Sequence, residues 1–125
     1  MKKIFLTAMI CMMPGICLAA SGDERIAEMY MCELKEGKTM EEVQANNVKW
    51  LANTRKQAGN EDSHSYALEP MVGDLSHFYF IDSYPDLATW SAAKAAESDE
   101  GQAIEDAFNE LMECTKNRLY KGTQH

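Results

Sequence analysis

No apolar stretch in this sequence reaches the roughly 20 residues that a membrane-spanning helix needs; the N-terminal run from Ile4 to Met13 is short and is interrupted by Thr7. Basic residues are scarce as well, 12 Lys and Arg against 20 Asp and Glu. An acidic chain repels phosphate backbones and anionic bilayers. That balance argues against nucleic acid as a partner and against stable membrane insertion of the mature protein. There is no glycine-rich phosphate loop, nucleophile elbow, paired-cysteine redox motif or metal-binding helix. Motif content therefore implies no metal site and no cofactor, and no repeat or low-complexity tract suggests an array.

What stands at the N-terminus is an export pattern. Met1-Lys2-Lys3 is a basic start, Ile4 to Met13 an apolar segment, Pro14-Gly15 a helix break, and Cys17-Leu18-Ala19-Ala20 offers small residues for cleavage. Residues 1–20 are expected to be a signal peptide and residues 21–125 one domain, exported to the periplasm or secreted. The alternatives are an uncleaved anchor, which no stop-transfer segment supports, and a lipoprotein, for which neither Cys11 nor Cys17 has the usual preceding residues. Cleavage removes Lys2 and Lys3 and takes the formal charge from −8 to −10. It also removes Cys11 and Cys17, leaving Cys32 and Cys114. Two cysteines in an oxidising compartment are expected to pair, and closing so long a loop is worth about 4 to 5 kcal/mol on chain entropy. Two free thiols or an intermolecular bridge remain the alternatives.

Along the chain, residues 26–35 read as a strand with Tyr30, Cys32 and Leu34 on one face and Ala27, Met29 and Met31 on the other. Both faces are largely apolar, so both call for cover. Gly37 ends the strand, and Thr39-Met40-Glu41-Glu42 has the form of a capping box. The helix that follows repeats Met40, Val43, Asn47, Trp50, Leu51 and Thr54 at helical spacing to about Gln57. His64–Val72 and Leu75–Ser83 read as a hairpin turning at Gly73-Asp74, which places His64 opposite Ser83 and His77 opposite Pro70. Pro70 has no amide hydrogen to donate, so that strand belongs at a sheet edge. A helix restarts near Pro85-Asp86 and runs to about Ala96; Ser98 caps another whose stripe is Ile104, Ala107, Phe108, Leu111 and Met112, running to Cys114. Arg118–Lys121 reads as a short last strand.

The order strand, helix, strand, strand, helix, strand is the split βαβ unit, an α+β ferredoxin-like arrangement of an antiparallel sheet with helices on one face. Helices on one face leave the other face bare. A symmetric homodimer, with two sheets facing one another, is the economical way to cover it.

Over residues 26–121 the chain resembles the dimeric α+β barrel superfamily, which includes antibiotic-biosynthesis monooxygenases, haem-degrading monooxygenases and stress-responsive barrel proteins. The stretches that carry the likeness are Tyr79-Phe80-Ile81-Asp82-Ser83-Tyr84-Pro85-Asp86-Leu87-Ala88-Thr89-Trp90, then Ser98-Asp99-Glu100-Gly101-Gln102-Ala103 and Phe108. The sequence is also similar to small exported two-cysteine proteins of that fold without an assigned function. Many members of the superfamily carry a histidine in the helix after the third strand, where this chain has Ala92 and Ala93. In some barrel monooxygenases an asparagine and a tryptophan line the substrate cavity, which draws attention to Asn47 and Trp50.

The candidate catalytic residues are His77, Asn47 and Glu33. His77 is the histidine nearest the centre, but a sheet-face histidine with an ordinary hydrogen bond accounts for it as well; His64 stands about 20 Å away at ~3.3 Å per residue, too far to share a metal. Asn47 interrupts an apolar stripe, as a cavity residue or a structural hydrogen bonder does. Trp50, Trp90, Phe108 and Leu111 have core packing as their simplest role. If Cys32 points to the helices to meet Cys114, then Met29, Met31 and Glu33 point into the space between two sheets, beside either Phe78 and Phe80 or His77 and Tyr79. A carboxylate there could work as an acid or base; an exposed Glu33 at a strand end is the plainer alternative. The candidate ligand-binding set is thus Met29, Met31, Glu33, Tyr79 and Trp50. The expected protein is an exported barrel of unknown activity that binds a small apolar or aromatic ligand between the sheets of a dimer. The alternative is a cofactor-independent or haem-degrading type of monooxygenase.

Overall fold

A computed structural model describes residues 24–123; the expected export segment, residues 1–20, lies outside the described residues. The elements are β1 (Glu24–Leu34), α1 (Met40–Ala58), β2 (His64–Leu68), β3 (Phe78–Tyr84), α2 (Leu87–Ala95), α3 (Asp99–Leu111) and β4 (Met112–Thr123). The strands form one antiparallel sheet in the order β2-β3-β1-β4, and the helices cover one face. This is the ferredoxin-like α+β arrangement, with β2 at an edge.

The helix boundaries follow local chemistry. Thr39 accepts from the Glu42 amide while the Glu42 carboxylate accepts from the Thr39 amide, the reciprocal capping box. α1 ends at Gly59, whose φ of 63° is left-handed and suits glycine. Asp86 caps α2 and Ser98 caps α3, each accepting a hydrogen bond from the amide three residues on. One residue of α1 escaped the sequence pattern: Asn46 is buried and donates to the Ile104 carbonyl at 3.0 Å, tying α1 to α3.

Two strand boundaries differ from expectation. The hairpin keeps its predicted register, with His64 opposite Ser83. However, the ladder stops at Leu68 opposite Tyr79, and residues 69–77 form a wide loop instead of a two-residue turn. Pro70 lies in that loop, where its missing amide hydrogen costs no ladder bond, and His77 sits beyond the paired residues. β4 is far longer than Arg118–Lys121. Met112 to Thr123 pair along the whole of β1, with a register shift that sets Lys116 against Met31 and Cys114 against Cys32, leaving Thr115 extra. Cys114 therefore belongs to a strand and not to the end of a helix. Its neighbours are polar and exposed, so no apolar alternation marked them as strand.

Cys32 and Cys114 are joined by a disulfide across 82 positions of sequence. Cys32 is fully buried among Val43, Phe78, Phe80, Ile104 and Phe108 on the helix side of the sheet. Phe80 meets Phe78 and Phe108 edge to face, with ring centres 5.6 and 5.9 Å apart. Period-two alternation then sends Glu28 and Tyr30 to the helix side with Cys32, and Met29 and Met31 to the open side. On β3, Phe78, Phe80, Asp82 and Tyr84 face the helices while Tyr79 and Ile81 face away. This resolves the sequence-level choice of faces: Tyr79, not Phe78 or Phe80, shares the open side with Met29 and Met31. Replacing both cysteines by serine should lower the unfolding free energy by about 2–5 kcal/mol, as read from urea titration of the two proteins side by side.

Candidate functional site

A cavity of about 340 Å³ lies between the helices and the sheet. Trp50, Phe80 and Phe108 supply its apolar wall; Tyr30, Asn47, Asp82, Lys94 and Glu105 supply its polar groups. Each arrives by ordinary periodicity. Asn47 and Trp50 stand three residues apart on α1, one face of a helix, and Phe80 and Asp82 two apart on the helix side of β3.

Two buried carboxylates lie on the helix side of the sheet in contrasting environments: Asp82 lines this space, and Glu28 stands behind Tyr30 and Lys94, which do. Glu28 is only 4% exposed and holds three polar contacts. Lys94 Nζ lies 2.7 Å from its Oε2, Trp90 Nε1 donates to the same oxygen at 3.1 Å, and Asn117 Nδ2 donates to Oε1 at 2.8 Å. Lys94 also donates to the Tyr30 hydroxyl at 2.8 Å. Burial pushes the Glu28 carboxyl up, but hydrogen bonds from Lys94, Asn117 and Tyr30 with the Lys94 charge outweigh it, and the pKa falls below the usual carboxylate value. Glu28 is ionised. Tyr30 is pushed far up by burial and by the Glu28 charge beside it, so its hydroxyl keeps its proton.

Asp82, 5% exposed, has no cation in contact. Ser65 Oγ donates to its Oδ1 at 2.5 Å, and Asn47 bonds Ser65 in turn, Nδ2 to Oγ at 3.0 Å. Burial drives the Asp82 pKa up to about 7, the Ser65 hydrogen bond and more distant Lys94 opposing it, the Glu28 and Glu105 charges adding to it. One fold thus carries an ionised acid and a protonatable one on neighbouring strands of the same sheet face, a division of roles that acid-base chemistry at neutral pH uses.

The residues singled out from sequence separate into three places. Asn47 and Trp50 both line the cavity, and Asn47 bonds a strand side chain there. Met29, Met31 and Tyr79 line a shallow depression of about 230 Å³ on the opposite side of the sheet, rimmed by Lys116 and Arg118. Trp50 does not join them, because the sheet stands between. Glu33 and His77 meet at the end of the sheet, His77 Nε2 lying 2.5 Å from Glu33 Oε1 and Nδ1 near Ser76 Oγ at 2.7 Å. That pair closes the 69–77 loop against β1 and lines neither of these two spaces. Among the described residues no group of three or more His, Cys, Asp or Glu side chains is placed to hold a metal ion, and no helix is long and apolar enough to cross a membrane.

Asp82, Glu28, Tyr30, Lys94 and Ser65 were absent from the sequence-level candidates. A signal existed: Asp82 falls in register with Phe78, Phe80 and Tyr84, and Glu28 with Tyr30 and Cys32, so each is an acid on a core face.

No family model and no curated protein sequence matches the chain. Solved structures do. SnoaB from Streptomyces nogalater, described as a cofactor-independent oxygenase, superposes with a TM-score of 0.60 at 13% identity, over 82% of this chain and 96% of that one. A NIPSNAP family protein of unknown function from Agrobacterium tumefaciens gives 0.58 at 13%, over 80% and 89%. A candidate antibiotic biosynthesis monooxygenase from Nitrosomonas europaea gives 0.53 at 13%, over 82% and 91%. The chain shares their fold. At this identity the likeness extends to the ferredoxin-like α+β arrangement and to nothing finer.

The raised acid has a thermodynamic signature. Between the ordinary aspartate value of 3.8 and about 7 the folded protein holds a proton that the unfolded chain releases. Stability should therefore be greatest at the acid end of that window and fall as pH rises through it, by up to about 4 kcal/mol for this one group. Asp82→Asn, which keeps a hydrogen-bonding side chain beside Ser65, should flatten the slope and be more stable than wild type above pH 7. Urea unfolding of both proteins across this pH range measures it.

Proposed function

We propose that this is an exported protein that binds a small aromatic ligand in the cavity between its helices and its sheet, and that two copies pair through the open faces of their sheets. The observation that carries the ligand reading is the cavity itself: an apolar wall with a few convergent polar groups and a titratable acid is the common form of a small-molecule site. Trp50 and Phe108 offer ring faces for stacking, while Asn47, Tyr30 and Asp82 offer donors and acceptors for a phenolic edge. A site between the two sheets of a dimer, where Met29, Met31 and Tyr79 lie, has less to hold a ligand, being shallow and flanked by cations.

Pairing is supported by the open face, where Tyr66, Leu68, Tyr79, Ile81, Met29, Met31 and Tyr120 lie together by strand register. Tyr66, Leu68 and Tyr120 remain exposed in the single chain. A contiguous apolar face of that kind marks an interface, and closed two-fold dimers are the commonest solution. Export is supported by the disulfide, which oxidising compartments favour, and by the pattern of residues 1–20.

A second reading, an oxygenase without a bound cofactor, is favoured by one observation. Asp82, with its pKa near 7, sits in the cavity at the place where a base would take the hydroxyl proton of a bound phenol. SnoaB, of the same fold, is described as an oxygenase that needs no cofactor. The phenolate formed would then be the species that reacts with dioxygen.

Titration of the mature disulfide-linked protein with naphthol should quench Trp50 emission saturably, and Trp50→Phe should remove that response while Trp90 emission stays. Absence of saturable binding by calorimetry would sink the ligand reading. Consumption of dissolved oxygen with conversion of the naphthol would favour the oxygenase, whereas its recovery unchanged would leave a binding protein. For export and pairing, the secreted or periplasmic protein should begin at Ser21 by mass spectrometry and scatter light as a dimer; Met31→Glu should return it to monomers, and a wild-type monomer would refute the pairing.

A further inference from the structure

Of the two buried acids on the helix side of the sheet, Glu28 has a cation in contact and Asp82 has none. Asp82 is 5% exposed and lines the cavity. Among the described residues one hydrogen bond reaches it: Asn47 Nδ2 donates to Ser65 Oγ, and the Ser65 hydroxyl donates to Asp82 Oδ1. Oδ2 receives none. Nor is Oδ2 one of the unpartnered atoms that packing seals from water, as the Tyr84 hydroxyl is. In a side chain this buried, an unpartnered carboxylate oxygen that remains accessible is an acceptor open to the cavity. Buried charges in native proteins are paired, so the partner of an ionised Asp82 would come with the cavity's occupant.

The charges around Asp82 favour one sign of partner. The ionisable groups close enough to act on it are Glu28 and Tyr30 on β1, Tyr84 on its own strand, Lys94 on α2 and Glu105 on α3. β2 and α1 bring Ser65 and Asn47, which carry no charge. Burial and the neighbouring acids push both tyrosines far up, so each keeps its proton. Two carboxylates therefore stand against one ammonium, and Glu28 already holds that ammonium at 2.7 Å. Farther round the wall, Glu113 offsets Lys35. An anionic ligand would meet a surplus of negative charge here, and a cationic one is drawn to it. The apolar walls agree, since the ring faces of Trp50, Phe80 and Phe108 attract cations as well as other rings.

We infer that the ligand of this cavity is an arylalkylamine, its primary ammonium bonded to Asp82 Oδ2 and its ring set against Trp50 and Phe108. The inference rests on the reading of the cavity as an aromatic site and names what the ring carries. A phenol offers Asp82 one hydrogen bond. An alkylammonium, which stays protonated well above neutral pH, offers hydrogen bonds and the compensating charge together. Binding of this kind requires the ionised acid. Burial leaves Asp82 half-protonated near pH 7, so an amine binding at or below that pH displaces a proton from the carboxyl. Affinity for the amine then rises as pH rises through about 7 and levels off above it.

The test titrates naphthylethylamine, naphthylethanol and naphthylacetate into the mature disulfide-linked protein by calorimetry, one pH unit below and one above the Asp82 value of about 7. At the higher pH the amine should bind about tenfold tighter than the alcohol, the gain of a charge-assisted hydrogen bond over a neutral one. The acetate should bind more weakly than either. On going to the lower pH the amine should lose about tenfold in affinity as Asp82 takes up its proton, while the alcohol changes little. In Asp82→Asn the preference for the amine and its pH dependence should both vanish, with the alcohol still bound by an intact cavity. An amine no tighter than the alcohol at the higher pH, or a preference that survives in Asp82→Asn, would overturn the inference while leaving the aromatic site standing. If Asp82→Asn fails to fold or to bind the alcohol, the wild-type profile decides, and an amine affinity equal at the two pH values overturns the inference. Failure of the amine, the alcohol and naphthol all to bind would overturn the aromatic site as well.

Discussion

The bridge between Cys32 and Cys114 pins β4 to β1 where the ladder shifts register, and it does so on the helix side of the sheet. Once Cys32 is held in the core, the strand's period of two leaves its neighbours no choice: Glu28 and Tyr30 are carried inward, Met29 and Met31 outward. β1 is hydrogen bonded to β3 on one side and β4 on the other, so the same constraint passes to both. Asp82 and Tyr84 on β3 reach the interior, and Asn117 on β4 turns to the helix side to meet Glu28, because they lie opposite the inward residues of β1. The site and the open face are consequences of one strand's orientation.

Bringing carboxylates inward is costly unless each is paired or neutral. The molecule uses both solutions a few ångströms apart. Glu28 is kept charged by an ammonium, an indole and an amide, contacts contributed by α2 and β4, elements far apart in sequence. Asp82 receives one hydroxyl and stays near its point of half-protonation at neutral pH. A buried ion pair of the first kind contributes little net stability after desolvation, and a buried acid of the second kind subtracts from it above neutrality. Neither arrangement is what packing alone would favour, which directs attention to the cavity that Asp82 lines and that Glu28 reaches through Lys94 and Tyr30.

The two faces of the sheet have divided the labour. The open side carries Met29, Met31, Tyr79 and Ile81 with Lys116 and Arg118 beside them; the helix side has a cavity with aromatic walls and converging polar atoms. The helices do not close fully on the sheet. α1, α2 and α3 leave a cavity against β3, and Asn47 and Trp50 both line it, side chains that the helical spacing had placed together without showing what they faced.

Much was legible in the sequence because it depends on near neighbours. The capping box at Thr39 and Glu42, the caps at Asp86 and Ser98, the alternation of β1 and the pairing of His64 with Ser83 are local rules, and the order of elements limits the topology to few arrangements. The extent of β4 was not legible, since its residues are exposed and polar and its strand character comes from the backbone bonds β1 offers. Nor was the end of the hairpin ladder, decided by where Pro70 could be excused from pairing. The acids were visible on core faces, but their roles were not: a carboxylate's pKa depends on what stands within a few ångströms of it, and Lys94, Trp90 and Asn117 reach Glu28 only after three elements have packed. By itself the sequence determined the element order and which residues of β1 share a face. Only the tertiary structure decided which acid has its pKa lowered and which has it raised, and that a cavity lies under the helices, because both depend on distances that no spacing along the chain encodes.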